Sequence, residues 1–381
     1  MALSMTVLSA CNNPTPASAS STPGAVAQAE SSPSDASFTP QVADGFAVEL
    51  WADVPNARSL ALSPDGRTLF VGTREDEVHK VTVSEDGKAQ KGELFQKGLK
   101  GSNGVCFLGD DLYLAERLRI VRFPARGGFP LLSEGEVVLD GLPDKTHHGW
   151  RYMKASPEGR LLVAIGAPCN VCLHPEDERF ASICSLKPDG TDFRVETHGV
   201  RNSVGFDWHP VSGDLYFTDN GRDMLGDDIP PCELNVLPKG KTDLHYGFPF
   251  FWGDNQRDSE VKEQPPAGEF QKPVVKFGAH TAPLGCYFPR HERWKTLLGG
   301  KALVAQHGSW NRSTPVGYQV VSVDPLSADK KVEPFLWGFL ENVNGSYPVH
   351  GRPVDVTELK DGTLLVSDDG KGKIWAIRPA K

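Results

Sequence analysis

Five short stretches of this chain concentrate side chains that can move protons, grip anions or hold a hard cation. Thr146-His147-His148-Gly149-Trp150-Arg151 pairs two imidazoles next to a glycine. Imidazole titrates near neutral pH and can take a proton from an alcohol. Gly199-Val200-Arg201-Asn202-Ser203-Val204-Gly205 offers the planar donor fork of Arg201 to an anion and adds the amide of Asn202. Asp219-Asn220-Gly221-Arg222-Asp223, continuing to Gly226-Asp227-Asp228 and Glu233, gathers acidic and amide groups in a glycine-containing loop. Such oxygen donors suit calcium better than zinc, although the spacing is not that of an EF-hand. Gln306-His307-Gly308-Ser309-Trp310-Asn311-Arg312 and His350-Gly351-Arg352-Pro353-Val354-Asp355-Val356 each add a histidine and an arginine. Each stretch alone also admits a plain reading: a solvated histidine, a surface arginine beside a turn, a hydrated acidic loop.

These stretches interleave with a repeat. A polar turn, often Pro-Asp-Gly or a close variant, precedes a short apolar triplet, and the triplets begin at Leu69, Leu112, Leu161, Leu215, Ala302 and Leu364. A four-stranded propeller blade takes roughly 40–50 residues. Six triplets therefore predict an all-β, six-bladed β-propeller with four-stranded antiparallel blades. The long interval between Leu215 and Ala302 predicts an insertion between the fourth and fifth inner strands; a degenerate seventh blade there is the competing count. Abundant Gly (39) and Pro (30) with scarce Met (4) fit many strands and turns better than a helical bundle. Residues 47–51 are expected to add a strand to the last blade beside 373–377 and close the ring. A β-sandwich is the alternative, but it gives no reason for one turn-strand unit to recur at this period. In a propeller the ends of blades converge on the central channel, so the arginines and histidines would meet there around a small polyanion.

The formal net charge of −9 argues against nucleic acid as a partner. Leu8-Ser9-Ala10-Cys11 has the form of a bacterial lipobox, so residues 1–11 are read as a signal or lipobox remnant, with the natural start expected upstream and a lipid anchor at Cys11. Residues 12–38 are Ser/Ala/Pro-rich and cannot bury enough apolar surface to order themselves; they read as a disordered linker to a domain over 39–381. An exported protein, in the periplasm or at the cell surface, follows. Oxidising conditions favour disulfides there, and Cys169-Asn170-Val171-Cys172 is the best local pair.

Taken in order, His-x-Gly-x-Arg (147–151), Gly-x-Arg-Asn-x-x-Gly (199–205), Asp-Asn-Gly-Arg-Asp (219–223) with Gly-Asp-Asp (226–228), His-Tyr-Gly-Phe-Pro (245–249), Ala-Pro-Leu-Gly (282–285) and Gly-Arg-Pro-x-Asp-Val (351–356) resemble the soluble glucose/sorbosone dehydrogenases. The match lies nearer the sorbosone-type, aldose sugar dehydrogenase branch. The resemblance implies an oxidoreductase that uses pyrroloquinoline quinone (PQQ) and Ca2+ to oxidise a sugar, with electrons passed to a separate acceptor, a quinone or a cytochrome. It implies His147 as the catalytic base, with His148 as the alternative, and Arg201 as a polarising catalytic group. Arg201, Asn202, Arg312, Arg352 and His147 would contact PQQ. Carbonyls of Gly221 and Arg222 would ligate calcium, and Asp227, Asp228 and Tyr246 would build a further calcium site. Val204 and Val354 replace a Gln and an Arg of the glucose branch, and Ala167 stands where that branch has an Asp that orients the histidine. A calcium-dependent sugar lactonase-like hydrolase and a non-enzymatic binding propeller are the competing readings; neither needs a basic anion pocket.

Overall fold

The computed structural model describes residues 38–126, 129–130, 135–174 and 176–380. The expected anchor at Cys11 and the linker, apart from Phe38, lie outside the described residues. Phe38 itself belongs to the packed body, its ring stacked on His350 at 4.7 Å.

Six sheets, each with four antiparallel strands, form the blades, and a fifth strand joins blade three and, as Gln41–Val42, blade five. Blade one is Ala57–Leu62, Thr68–Thr73, Glu77–Val83 and Ala89–Lys97. Blade two is Gly104–Leu108, Asp111–Ala115, Ile120–Phe123 and Glu136–Leu139, and blade three is Met153–Ala155, Leu161–Ile165, Ser182–Leu186 and Arg194–His198. Blade four is Phe206–Trp208, Leu215–Asp219, Glu233–Leu237 and Val275–Lys276, and blade five is Pro283–Tyr287, Ala302–Gln306, Gln319–Val323 and Val332–Trp337. Blade six takes Pro353–Glu358, Leu364–Asp368 and Lys373–Pro379 from the C-terminus and Phe46–Asp53 from the N-terminal side. Val48 pairs with Ile377 and Glu49 with Ala376, so the two ends of the domain share one sheet, as expected. The insertion carries no seventh blade. Its regular elements are a parallel addition to blade three at Leu244–His245 and a small hairpin, Phe251–Trp252 with Gln256–Arg257; the short helix Glu292–Leu298 follows within blade five.

Every apolar triplet falls in the second strand of its blade, and the reason is packing. Successive side chains of a strand point to opposite faces. Leu69 and Val71 face blade six while Phe70 faces blade two; Leu112 and Leu114 face blade one while Tyr113 faces blade three. The same alternation holds for Leu161, Leu162 and Val163, for Leu215, Tyr216 and Phe217, for Ala302, Leu303 and Val304, and for Leu364, Leu365 and Val366. A strand buried on both faces reads as a continuous apolar run. Six hydrophobic clusters result, one at each interface between neighbouring blades. Each fully buried large aliphatic or aromatic side chain contributes roughly 1.5–3 kcal/mol.

The turn that opens each second strand lies at one end of its blade. Gly66 (φ +78°) and Gly362 (φ +82°) supply the left-handed conformation these turns require. The segments entering the first strand and leaving the second must therefore share the opposite end, and that end carries the chemistry.

Candidate functional site

At that end a cavity of about 350 Å³ opens, at the lower limit of ordinary ligand clefts. Its wall is drawn from five blades by the same rule. Chain segments entering first strands contribute Arg58, His148, Trp150, Arg201, Asn202, His280 and Arg352. Segments leaving second strands contribute Arg74, Asn220, Gly221, Asp223, His307 and Trp310. Four guanidinium groups thus face one space with a single carboxylate, Asp223, among the lining residues.

Equivalent carboxylates at the ends of two second strands set two of these arginines. Asp219 accepts the backbone N–H of Arg201 (2.9 Å) and Asn202 (2.7 Å), and Asp368 accepts that of Arg352 (2.7 Å). Burial pushes both carboxyl groups up to about 6. The Arg201 guanidinium is then tied on all sides. Nε donates to the Asn170 carbonyl (2.9 Å), one terminal nitrogen to the carbonyls of Asn220 (3.0 Å) and Gly221 (3.1 Å), the other to Asn170 Oδ1 (2.9 Å) and, at 3.4 Å, to Asp223. The long bond to Asp223 is the one a ligand oxygen could replace. Arg352 donates to the carbonyls of His307 (3.0 Å) and Gly308 (2.7 Å) and lies over the Tyr318 ring.

His148 is one of three histidines in the wall, with His280 and His307. Its Nδ1 lies 2.9 Å from the Ala167 carbonyl. A carbonyl only accepts, so Nδ1 carries the proton and Nε2 is left with a free lone pair. Burial and then the neighbouring Arg201 hold its pKa well below the usual value, so the ring stays neutral at pH 7. The Ala167 side chain cannot orient a histidine, but its backbone carbonyl does so here. His147 does not line the cavity; it is exposed and meets the His148 ring edge-on at 4.1 Å. Of the two histidines expected as candidates for the base, the structure thus brings His148, and not His147, to the cavity. The backbone of His148 is left-handed (φ +51°), and its ring is held inward by the Ala167 carbonyl.

Other expected positions also move. Arg312 does not line the cavity: it donates to the Asp227 carbonyl and pairs with the Asp228 carboxylate at 3.2 Å. Asp227 in turn accepts from the Ser313 N–H and hydroxyl. Tyr246 lies away from both, with its ring on Phe217 and its hydroxyl donating to the Val236 carbonyl at 2.8 Å. The expected second calcium site of Asp227, Asp228 and Tyr246 is thus not assembled. Of the two residues whose carbonyls are the expected ligands, Gly221 lines the cavity; the Arg222 side chain, which is not the expected ligand group, pairs with Asp258 (3.0 Å) and Glu260 (2.7 Å). Among the described residues no group of three or more His, Cys, Asp or Glu is placed to hold a metal. A hard cation here would rest on oxygens such as the Gly221 carbonyl and the Asp223 carboxylate.

The motifs did not reveal the blade-one side of the cavity. Asp369 accepts from Arg58 (2.7 Å) and His307 Nε2 (2.7 Å) and lies 3.2 Å from Arg74 Nε. That Arg74 contact is poorly aligned, so its buried Nε lacks a hydrogen-bond acceptor. Arg58 and Arg74 also flank the Trp150 ring, each at 5.4 Å. Burial among these cations pushes the His307 pKa down to about 4. His280, by contrast, is raised by Asp223, 3.6 Å from its Nδ1. The excess of guanidinium groups, the unsatisfied donor and the flat faces of Trp150 and Trp310 fit a planar polyanion such as PQQ.

A Borreliella burgdorferi protein of uncharacterised function is 32% identical over 357 residues, covering 89% of this chain and 90% of that one. The family model described as TrAA12-like matches residues 229–380. The chain belongs to one family with the Borreliella burgdorferi protein; the TrAA12-like match covers its C-terminal part. Its fold is shared with the calcium structure of a Trichoderma reesei Carbohydrate-Active Enzymes Family AA12 protein (TM-score 0.77, 20% identity, 90% of this chain and 97% of that chain). It is shared too with the holo PQQ domain of the Coprinopsis cinerea pyranose dehydrogenase (TM-score 0.74, 20% identity, 90% and 97%). The apo soluble aldose sugar dehydrogenase of Escherichia coli superposes with a TM-score of 0.64 at 17% identity, over 88% and 100%. The resemblance to PQQ-dependent sugar dehydrogenases thus holds for the fold, and none of these similarities singles out the sorbosone branch.

Proposed function

We propose that this protein is an exported quinoprotein that oxidises an aldose or related sugar, using PQQ and calcium. The single observation that carries this reading is the cavity in which Arg58, Arg74, Arg201 and Arg352 surround one neutral histidine with a free Nε2. Bound with calcium, PQQ supplies the quinone that takes up a hydride from the sugar carbon.

The chain's own residues do the rest. His148 Nε2 takes the proton of the sugar hydroxyl, and the Ala167 carbonyl holds the ring in the tautomer that can do so. General-base assistance of this kind contributes roughly 10²–10⁴-fold. The four arginines retain the carboxylates of the cofactor, and Arg201 holds fixed positive charge where negative charge develops, a preorganised arrangement that costs no reorganisation during the reaction. Gly221 and Asp223 offer oxygens to calcium. Trp150 and Trp310, at the cavity and partly exposed, give flat surfaces against which the planar cofactor would rest. Electrons then pass to a separate quinone or cytochrome. Attachment through Cys11 in the periplasm or at the cell surface would place the enzyme beside such an acceptor.

The test is reconstitution. Purified protein is mixed with PQQ and calcium chloride, and a panel of aldoses is screened for reduction of an artificial dye. Turnover is expected to need both additions. A protein that binds no PQQ at any calcium concentration and reduces no dye refutes the reading.

A further inference from the structure

The expected pair Cys169–Cys172 is a disulfide in the structure, whereas Cys106, Cys184, Cys232 and Cys286 are free and buried. The bond closes a loop of four residues, and what that loop encloses is Asn170. This asparagine is among the most heavily committed side chains at the site. Its Oδ1 accepts from Arg201 (2.9 Å) and from the Asp223 N–H (2.9 Å). Its Nδ2 donates to the Asp223 carbonyl (3.1 Å), and its own carbonyl accepts from Arg201 Nε (2.9 Å). One residue therefore fastens the blade-four arginine to the loop that carries the cavity's carboxylate.

The same segment reaches the base. Ala167, three residues before Asn170, accepts from His148 through its carbonyl and donates its N–H to the Arg201 carbonyl at 2.7 Å. Val171 packs against the small cluster of Ala167, Ala181 and Phe248, which anchors the loop from behind. Residues 167–172 thus touch His148, Arg201 and Asp223 from one short strap. A strap this short and this irregular has no strand pairing of its own to hold it. The covalent closure restricts the conformations the loop can reach.

We infer that Asn170, locked in place by the Cys169–Cys172 bond, is a positioning residue for the reaction centre: it fixes Arg201 and Asp223 in the arrangement that receives the anionic cofactor. The functional half of this inference rests on the PQQ reading; the structural half does not.

The experiment uses the whole chain in four forms: wild type, Asn170→Ala, Asn170→Asp and the double variant Cys169→Ser/Cys172→Ser. Serine replaces cysteine because a free thiol can add to a quinone. PQQ affinity is measured by quenching of tryptophan fluorescence in calcium, and amide hydrogen exchange is followed over residues 219–224. Asn170→Ala and the double serine variant are expected to weaken PQQ binding at least tenfold. They should also speed exchange in 219–224 at least tenfold, because the Asp223 N–H loses its acceptor. Asn170→Asp keeps both Oδ1 contacts but loses the Nδ2 donor to the Asp223 carbonyl and adds a negative charge, so it is expected to exchange in 219–224 more slowly than Asn170→Ala while binding the anionic cofactor more weakly than wild type, a partial rescue of exchange that a merely space-filling role would not give. If wild type binds no PQQ but exchange quickens as stated, the cofactor reading fails and the positioning role survives. Unchanged exchange in Asn170→Ala, or exchange in Asn170→Asp as fast as in Asn170→Ala, overturns the inference.

Discussion

Gly166→Ala tests the geometry around the proposed base most sharply. Gly166 follows the second strand of blade three and lies directly beneath His148 and Asn202. A Cβ added there would sit 2.5 Å from His148 Cβ, 3.3 Å from its Cγ and 2.9 Å from Asn202 Oδ1. Carbon atoms pack at about 3.5–4.0 Å, so something must move by roughly 1 Å. The strand behind Gly166 is paired on both sides and buried, which leaves the loop carrying His148 to yield. That residue already occupies the left-handed region at φ +51° and has little room for adjustment. A displacement of about 1 Å at a reacting group costs on the order of 100-fold, while overpacking costs about 1–3 kcal/mol in stability. The expected result is a protein that still melts cooperatively and still binds PQQ, with kcat for sugar-dependent dye reduction lowered about 100-fold at saturating cofactor. A kcat within threefold of wild type would refute the assignment of His148 as the base held over Gly166.

Further outcomes follow from the same contacts. His148→Gln is expected to lower kcat by about 10²–10⁴-fold, and His147→Ala by less than tenfold; the reverse ranking in the dye assay restores His147 as the base. Arg352→Ala should raise the Kd for PQQ roughly 10–100-fold, the loss of one charge-assisted contact, read by fluorescence titration, with Arg312→Ala within threefold because that side chain is spent on Asp227 and Asp228. Asp369→Asn removes the carboxylate shared by Arg58, Arg74 and His307 and should cost about 3–5 kcal/mol in denaturant unfolding, as for other broken buried pairs. The positive neighbours hold the Asp369 carboxyl far below its ordinary value against the opposing effect of burial. A depressed folded-state pKa stabilises above the unfolded value near pH 4 and loses that stability as pH falls below it. Wild type should therefore lose stability on acidification below about pH 4 more steeply than Asp369→Asn; parallel curves would contradict the ion-pair account.

Much of the architecture was written locally. Leu69-Phe70-Val71 and its five counterparts are apolar without a break because a strand pressed between two blades buries both faces, and that requirement acts on three adjacent residues. Ring closure by Phe46–Asp53 and the disulfide of Cys169 with Cys172 were legible for the same reason, since short motifs sufficed to mark them. The loops that bear Arg201, Asn202, Gly221 and Arg352 were recognisable as well, and the cavity unites them. Which side chain of each loop enters the cavity was decided elsewhere. His148 rather than His147 is turned inward by a carbonyl 19 residues away, and Arg58 is fixed by Asp369 across a sequence separation of 311. Arg312 is withdrawn by an acidic loop from a different blade. A strand imposes a period of two on its own residues, but an irregular loop has no such rule. Its side chains settle where distant partners satisfy their charges and hydrogen bonds, and those partners exist only once the ring has closed.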